Sequence, residues 1–470
     1  MNKVVIIGGG VAGLTAGIYC VKNGLSCEIF EKNAFCGGNL TGWKREGFYI
    51  DNCFHWLTGT LPDTELYRIW RDIGMIADRG SLYQPNVFYE SVCDGQSIAF
   101  SRYPEVTRLN MLKLSPPDAD EIDRFIDSVE AVGELMKDKK PSRAIVSIYA
   151  RYRRLSLCQL SERFRHPLLK KAFTDYFGEY FSAIALIWAY GAFICGNGMI
   201  PKGGSRNAAE RIESRFVGLG GKLYKGKAVN KIVSNGKRAY GILTEKGEFV
   251  RADAVICACD PSVTFGRLLS PDNMPNGFKA VYSDDAVAPA FSSIHAAFSV
   301  PANKLPRFGT RIIPCPITNE KKRIIIKEYC YEPSFSPEER CIVQAMLFLN
   351  ADKSDVWIRE KTNREKYSSA KILYADAMKE AISKEFPSLD GDVKLLDAWT
   401  PATYHEYFGA THGSYMAFAL TPKTPLKRYS CRIKGLHNVF MATQWQCSPG
   451  GLPNAARSGK KAAETVKKLF

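Results

Sequence analysis

Residues Lys3 to Ile7 (KVVII) are apolar without alternation, the pattern of a strand buried on both faces of a parallel sheet. A glycine run follows, then Leu14 to Val21 in helical rhythm with Asn23-Gly24 as its stop, then a second strand from Ser26 to Glu31. This predicts a β-α-β unit of about 30 residues. From about Asp78 to Asn197 the periodicity becomes helical and rich in aromatic residues. After Pro201-Lys202-Gly203-Gly204 comes an amphipathic helix, followed by short strands at Lys222 to Tyr224, Ala228 to Val233, Ala239 to Thr244 and Ala254 to Ala258. Apolar and polar positions alternate in stretches between about Ala290 and Leu349, which predicts antiparallel sheet. Val439 to Thr443 reads as a last buried strand, and a closing helix is expected from about Pro453 to Leu469. No repeat or low-complexity segment interrupts this order.

Length and composition add limits. The 470 residues allow about three domains, and 46% hydrophobic with 24% charged residues is ordinary globular material. A net charge of +16 points to solubility or to an acidic partner: anionic lipid, nucleic acid or a phosphorylated cofactor. Fourteen cysteines form no C-x-x-C pair, so zinc spacing is absent and no metal site is expected; buried reduced thiols in a cytoplasmic protein are. The N-terminus lacks the features of a signal peptide. The apolar stretch from Phe181 to Cys195 is shorter than the roughly 20 residues of a spanning helix.

Gly8, Gly10 and Gly13 fit G-x-G-x-x-G between a strand and a helix, with Val11 and Ala12 opening that helix. The first glycine permits a tight turn, the second lets backbone approach a pyrophosphate, and the third lets helix pack on sheet. Free N–H groups and the helix dipole then face the diphosphate. Glu31 stands eighteen residues after Gly13 at the end of the second strand, where an acid can accept hydrogen bonds from ribose hydroxyls. A dinucleotide is therefore expected, with Lys32 beside the acid.

Five further segments lie in a fixed order: Cys36-Gly37-Gly38-Asn39 with Gly47 to Asp51; Pro201 to Gly204 with Gly220-Gly221; Trp399-Thr400-Pro401-Ala402-Thr403 with Gly413-Ser414; Asn438 to Trp445; and Gly450-Gly451-Leu452-Pro453. In this order the chain resembles the flavoprotein superfamily of amine oxidases, phytoene desaturases, carotenoid isomerases and retinol saturases, and within it the desaturase-like branch. The resemblance implies FAD, held by the glycine loop and Glu31, by Gly37, Gly38 and Asn39, by the Val229 backbone at adenine, and by Gln444, Gly451, Leu452 and Pro453 at the flavin. Pro453 suits a first helical turn, whose positive end favours reduced flavin. Two departures are visible. Asn39 stands where many members carry a basic residue, and Cys53 where glycine often follows the aspartate by two positions. A second nicotinamide loop and a redox C-x4-C, both expected of disulfide reductases, are missing.

The resemblance also implies an α/β fold. Its Rossmann-like FAD-binding domain would be discontinuous in sequence (1–76, 198–275 and 425–470). An α+β substrate domain of mixed or antiparallel sheet and helices would take 77–197 and 276–424. For the chemistry His55 is the first choice, flanked by Phe54 and Trp56 near the flavin. Tyr404, His405, Glu406 and His412 cluster beside the Thr-Pro segment, each with a packing role as the alternative. Trp445, Gln446 and Cys447 follow the last strand, where the resemblance implies an approach to the flavin. Between Lys137 and Lys171, within the helical part 120–197, eleven basic residues oppose only Asp138 and Glu162, with Tyr149, Tyr152 and Phe164 interleaved. Such a surface fits anionic lipid headgroups at the membrane's inner face, or is simply a solvated face. No nucleic-acid module accompanies it. The expected activity is oxidoreduction at C–C or C=C bonds of a hydrophobic, polyene-like substrate, with NAD(P)H as an available external electron donor. The alternatives are an amine oxidase and a non-catalytic protein of the architecture of GDP-dissociation inhibitors.

Overall fold

In the computed structural model, which describes residues 2–138, 143–285, 287, 289–317 and 320–470, the continuous apolar runs assemble one parallel sheet. Its five strands lie in the order Lys222–Tyr224, Ser26–Phe30, Lys3–Ile7, Ala254–Cys257 and Val439–Met441. Val5 pairs with Glu28 on one side and Val255 on the other, so strands far apart in sequence share one register. Both faces are covered, as full apolarity demands. Helices Val11–Lys22, Gly204–Gly218 and Gly451–Lys467 cover one face, and Val5, Ile7 and Val255 on the other pack against the antiparallel strands Val229–Ser234 and Ala239–Thr244.

The alternating strands build a second, seven-stranded sheet in the order Lys394–Trp399, Ser292–Pro301, Arg340–Leu349, Glu320–Glu328, Thr310–Ile317, Val87–Cys93 and Gln96–Ser101. Its pairs are antiparallel except Thr310–Ile317 with Val87–Cys93. Alternation decides which layer each residue meets. Ile324, Ile326, Ala345 and Leu347 belong to the core shared with helices Ala351–Glu360 and Arg364–Glu385. Ile312, Ile325 and Met346 face a helical layer that includes Ala119–Asp138, Pro167–Asp175 and Ala183–Ile194. No helix among the described residues is long and apolar enough to cross a membrane.

Two expectations need correction. The region read as helical from Asp78 contains a hairpin, Val87–Cys93 with Gln96–Ser101. Its turn, Asp94-Gly95, has φ of 51° and 77°, the left-handed pair that a two-residue hairpin loop requires. That Asp-Gly signal outweighs the helical rhythm around it. The cysteines are also not all reduced: Cys330 and Cys341 form a disulfide. Glu328 pairs with Val343, so the same register two residues on sets Cys330 opposite Cys341. Twelve cysteines remain free, most of them buried.

The first and last helices cross where Gly459 meets Ala12. A Cβ on Gly459 would lie 2.3 Å from the Ala12 carbonyl oxygen and 3.0 Å from the Ala16 nitrogen. Gly459→Ala should therefore force the helices apart. Overpacking near the upper limit of about 3 kcal/mol, less about 1 kcal/mol of helix propensity gained, leaves a net loss of about 2 kcal/mol. Urea unfolding of both proteins reads this difference directly, and equal midpoints would contradict the close crossing.

Candidate active site

A cavity of about 1000 Å³ runs from the glycine loop to the helical layer. At one end Gly8, Gly10, Val11, Ala12, Glu31 and Lys32 form its wall. The loop glycines differ in purpose. A Cβ on Gly13 would sit 2.0 Å from the Gly8 carbonyl oxygen, whereas one on Gly10 would find nothing closer than 3.9 Å. Gly13 thus allows the turn to close on its own helix, and Gly10 leaves the cavity side open. Glu31 follows its strand and is buried; its carboxylate accepts hydrogen bonds from the Gly9 nitrogen (2.7 Å) and the Asn33 nitrogen (2.8 Å). Burial raises its pKa, and those two backbone bonds act in the opposite direction.

Gly37, Gly38 and Asn39 lie alongside, with the Gly37 nitrogen bonded to the Gly9 carbonyl (2.9 Å). The Asn39 amide nitrogen donates to the Tyr415 carbonyl (2.9 Å), which turns Oδ1 away, buried and without a hydrogen-bond partner among the described residues. A buried acceptor without a partner, on a residue of the cavity wall, is a place for a hydrogen-bond donor. Farther along come Gln444, Gly451, Leu452 and Pro453 at the start of the last helix, where Gln444 Oε1 accepts from the Gly451 nitrogen (2.8 Å). Val229 also borders the cavity. The glycine cradle, the buried acid Glu31 beside it and the unpaired Asn39 oxygen together fit a flavin dinucleotide.

Over residues 11–467 the chain matches the family of flavin-containing amine oxidoreductases. The chain belongs to that family. It is 22% identical to prolycopene isomerase 1, chloroplastic, of an Oncidium hybrid cultivar, over 98% of this chain and 83% of that protein. It is 24% identical to a 1-hydroxycarotenoid 3,4-desaturase of Flavobacterium sp. (strain P99-3), over 58% of this chain and 60% of that protein. An oxidoreductase from Methanosarcina mazei has the same fold, with a TM-score of 0.66, 17% identity and coverage of 99% and 100%. This member of the family is an FAD-dependent oxidoreductase.

The far end of the cavity is apolar. Tyr176, Phe177, Phe181 and Trp188 come from the helical layer; Phe291, Ile325, Met346 and Phe348 come from the large sheet and its edge. His55 and Trp56 form the wall there. The loop carrying His55 is held from two sides. Asp51 accepts from the Cys53 and Phe54 nitrogens (both 2.9 Å) and from the Ser205 nitrogen and hydroxyl (2.6 and 2.7 Å). Behind the loop, Lys327 Nζ donates to the Phe54 and His55 carbonyls at 2.6 and 3.1 Å. Burial lowers the Lys327 pKa to about 8, while Asp51 and Glu328 favour its charge. Burial, with Lys327 acting in the same direction, takes the His55 pKa down to about 3. The imidazole is neutral at ordinary pH.

The other three side chains expected to carry chemistry lie elsewhere. Tyr404 is buried off the cavity wall, its hydroxyl bonded to Asn52 Oδ1 (2.9 Å), Trp399 Nε1 (3.0 Å) and His295 Nε2 (3.3 Å). His405 does border the cavity, but beside the nucleotide-binding segments, with Nδ1 against the Ala410 carbonyl (3.2 Å). His412 faces Asp355 (2.9 Å) and does not line the cavity. The cause is the helix Pro401–Phe408, which spreads neighbours in sequence over different faces. Gln446 is buried and bonds the Thr443 nitrogen (3.1 Å), while Trp445 Nε1 donates to Asp260 (2.9 Å). Lys327 and His295 were not anticipated, though both occupy positions on strands where alternation aims the side chain inward.

His295, stacked on Trp399 at 4.9 Å, also has its pKa driven well below 6.5 by burial. Below pH 6.5 the unfolded chain binds protons at His55 and His295 that the folded chain refuses, so stability falls with falling pH. The slope for each approaches about 1.4 kcal/mol per pH unit and ends at the folded pKa. His55→Gln should therefore flatten the loss of thermal stability between pH 6 and pH 4. Parallel melting curves for the two proteins across that range would show that His55 titrates normally.

Proposed function

We propose that this oxidoreductase acts on carbon–carbon bonds of a neutral, extended, apolar molecule of the polyene class, as a desaturase, saturase or isomerase. One observation carries this. Of the charged side chains on the cavity wall, Glu31, Lys32, Asp260 and Arg267 follow strands of the parallel sheet, Arg457 is on the last helix, and Arg428 is in a loop bonded to Asn454 of that helix. The helical layer and large sheet contribute none. An ammonium substrate would lose its water there with no carboxylate to receive it, a severe penalty; this weighs against an amine oxidase. The names of the relatives, an isomerase and a desaturase of carotenoids, support the same choice.

In this proposal residues 1–76, 198–275 and 425–470 hold the cofactor and the remainder holds the substrate. Gly8 to Gly13, Glu31, Lys32, Gly37 to Asn39, Val229, Gln444 and Gly451 to Pro453 would contact FAD, which supplies hydride transfer when bound. The aromatic walls exclude water and orient the chain of the substrate. Neutral His55 presents its imidazole to this cavity as a hydrogen-bonding group, its protonated form disfavoured by burial and by Lys327. Reduced protein mixed anaerobically with carotenoid polyenes, and oxidised protein with more saturated analogues, should show flavin absorbance changing with one of these sets. A response to amines with peroxide release, and none to polyenes, would reverse the assignment.

We further propose that the basic helices meet an anionic lipid surface. Arg143, Arg151 and Arg154 are exposed beside Val146 (69% exposed) and Tyr149 (39%), close in sequence to Met136 on the apolar wall. Other members of the basic run are committed elsewhere: Arg163 pairs with Glu121, Lys170 with Glu162, and Arg153 donates to the Thr421 and Pro422 carbonyls. Lys139 and Lys140 lie outside the described residues. At about 1 kcal/mol per basic residue near a charged surface, changing all three exposed arginines to Gln should weaken binding to phosphatidylserine vesicles by about a hundredfold. Co-sedimentation measures it, and unchanged binding would place the contact elsewhere.

A further inference from the structure

A short segment far from the glycine loop in sequence closes the nucleotide end of the cavity. His405, Tyr407, Phe408 and Gly409 share this wall with Lys32 and Arg267. The segment is tied at one end to the residues that follow Glu31. Lys32 Nζ donates to the Glu406 carbonyl (2.7 Å), and Asn33 Nδ2 donates to the Tyr407 carbonyl (2.9 Å). Because both acceptors are backbone carbonyls, the ties fix the path of the chain and not merely two side chains. Helix Pro401–Phe408 ends at Gly409, whose φ of 64° turns the chain; a Cβ there would lie 2.7 Å from Val263.

Past that turn the segment is tied again, to Asp260, which follows the strand Ala254–Cys257. The Asp260 carboxylate accepts from the Thr411 hydroxyl (2.6 Å) and nitrogen (3.2 Å). The same carboxylate receives Ser262, Tyr282 and Trp445 Nε1, so it is a fixed post and not a mobile side chain. The Ser262 hydroxyl adds a bond to the Gly409 carbonyl (3.3 Å). The strap thus bridges the loops that follow two strands of the parallel sheet, over the end where the ribose-binding acid stands.

We propose that residues 405–411 form a strap across the adenosine part of the FAD site, and that retention of the cofactor depends on its two anchors, Lys32–Asn33 and Asp260. The inference rests on FAD occupying this cavity. It gives His405 and Tyr407 a place at the adenosine, and it separates the hold on the nucleotide from the chemistry at the apolar end. Glu31 keeps its backbone donors when Asn33 loses its side chain, so the tie to Tyr407 can be cut without removing the acid's own bonds or the Lys32 charge. Thr411 is not on the cavity wall, so Thr411→Val weakens the far anchor by its hydroxyl tie to Asp260 without touching the ligand.

The test is the release of flavin from the holoprotein, followed by its fluorescence, for N33A and for Thr411→Val. The same variants, stripped of flavin, are then titrated with FMN, which has no adenosine. Each variant should release FAD at least tenfold faster than the parent protein, while FMN affinity stays within twofold. FAD release within twofold of the parent in both variants overturns the strap. So does an equal loss for FMN, which would mean a general loosening. A parent protein that takes up no FAD overturns the cofactor reading itself and the strap with it.

Discussion

Two glycine turns on the wall of one cavity are more than 400 residues apart, and what brings them together is the contact between the first helix and the last. Val11–Lys22 and Gly451–Lys467 cross with Gly459 against the Ala12 carbonyl, closer than any side chain would allow. The parallel sheet beneath them then has its first strand in the middle, with Ser26–Phe30 on one side and Ala254–Cys257 on the other. The loop after each of these strands, together with the start of each helix, opens on the same side, as ligand sites of open parallel sheets do. Loosening the crossing would part the two glycine turns while leaving each intact.

The same arrangement sorts charge. The segments that follow two of the parallel strands put charged side chains on the cavity wall: Glu31 and Lys32 after Ser26–Phe30, Asp260 and Arg267 after Ala254–Cys257. The large sheet and the helices present the side of their pattern that was already committed to the core. Phe291, Ile325, Met346 and Phe348 line the cavity because the alternation that buries their strands leaves one face toward it. Polar and apolar ends thus follow from which sheet a residue belongs to, with no separate device needed to keep ions from the substrate.

How much of this was legible in the sequence depends on whether a feature is local. The strand-loop-helix at Lys3 to Lys22, the glycine pair at Gly37 and the turn at Gly450 are local, and their spacing alone carries them. Tyr404, His405 and His412 were grouped because they are close in sequence. A helix and a left-handed turn disperse them to the core, the nucleotide end and the surface. Lys327 was hidden for the opposite reason. It ends an Ile-Ile-Ile run in which a lysine looks like the return to solvent, yet Ile325 and Lys327 share a face and that face is inside. The disulfide needed a register, Glu328 opposite Val343, which no cysteine spacing contains.

The position of Lys327 explains why His55 can serve an apolar cavity. A cation buried this deeply must find acceptors, and it finds the Phe54 and His55 carbonyls behind the loop. From there it disfavours a second positive charge on the imidazole a few bonds away, reinforcing the effect of burial. The ring on the cavity wall is therefore kept neutral by burial and by a charge behind the loop. Asp51, on the other side of the loop, takes up the backbone N–H groups of Cys53 and Phe54 and leaves the histidine no carboxylate. Were Asp51 turned toward the ring, it would raise the imidazole pKa and bring an ion into the one wall where neither the sheet nor the helices supply a counter-charge. Holding the loop by its backbone, from both sides and with opposite charges, fixes the histidine while keeping the cavity's apolar end free of net charge.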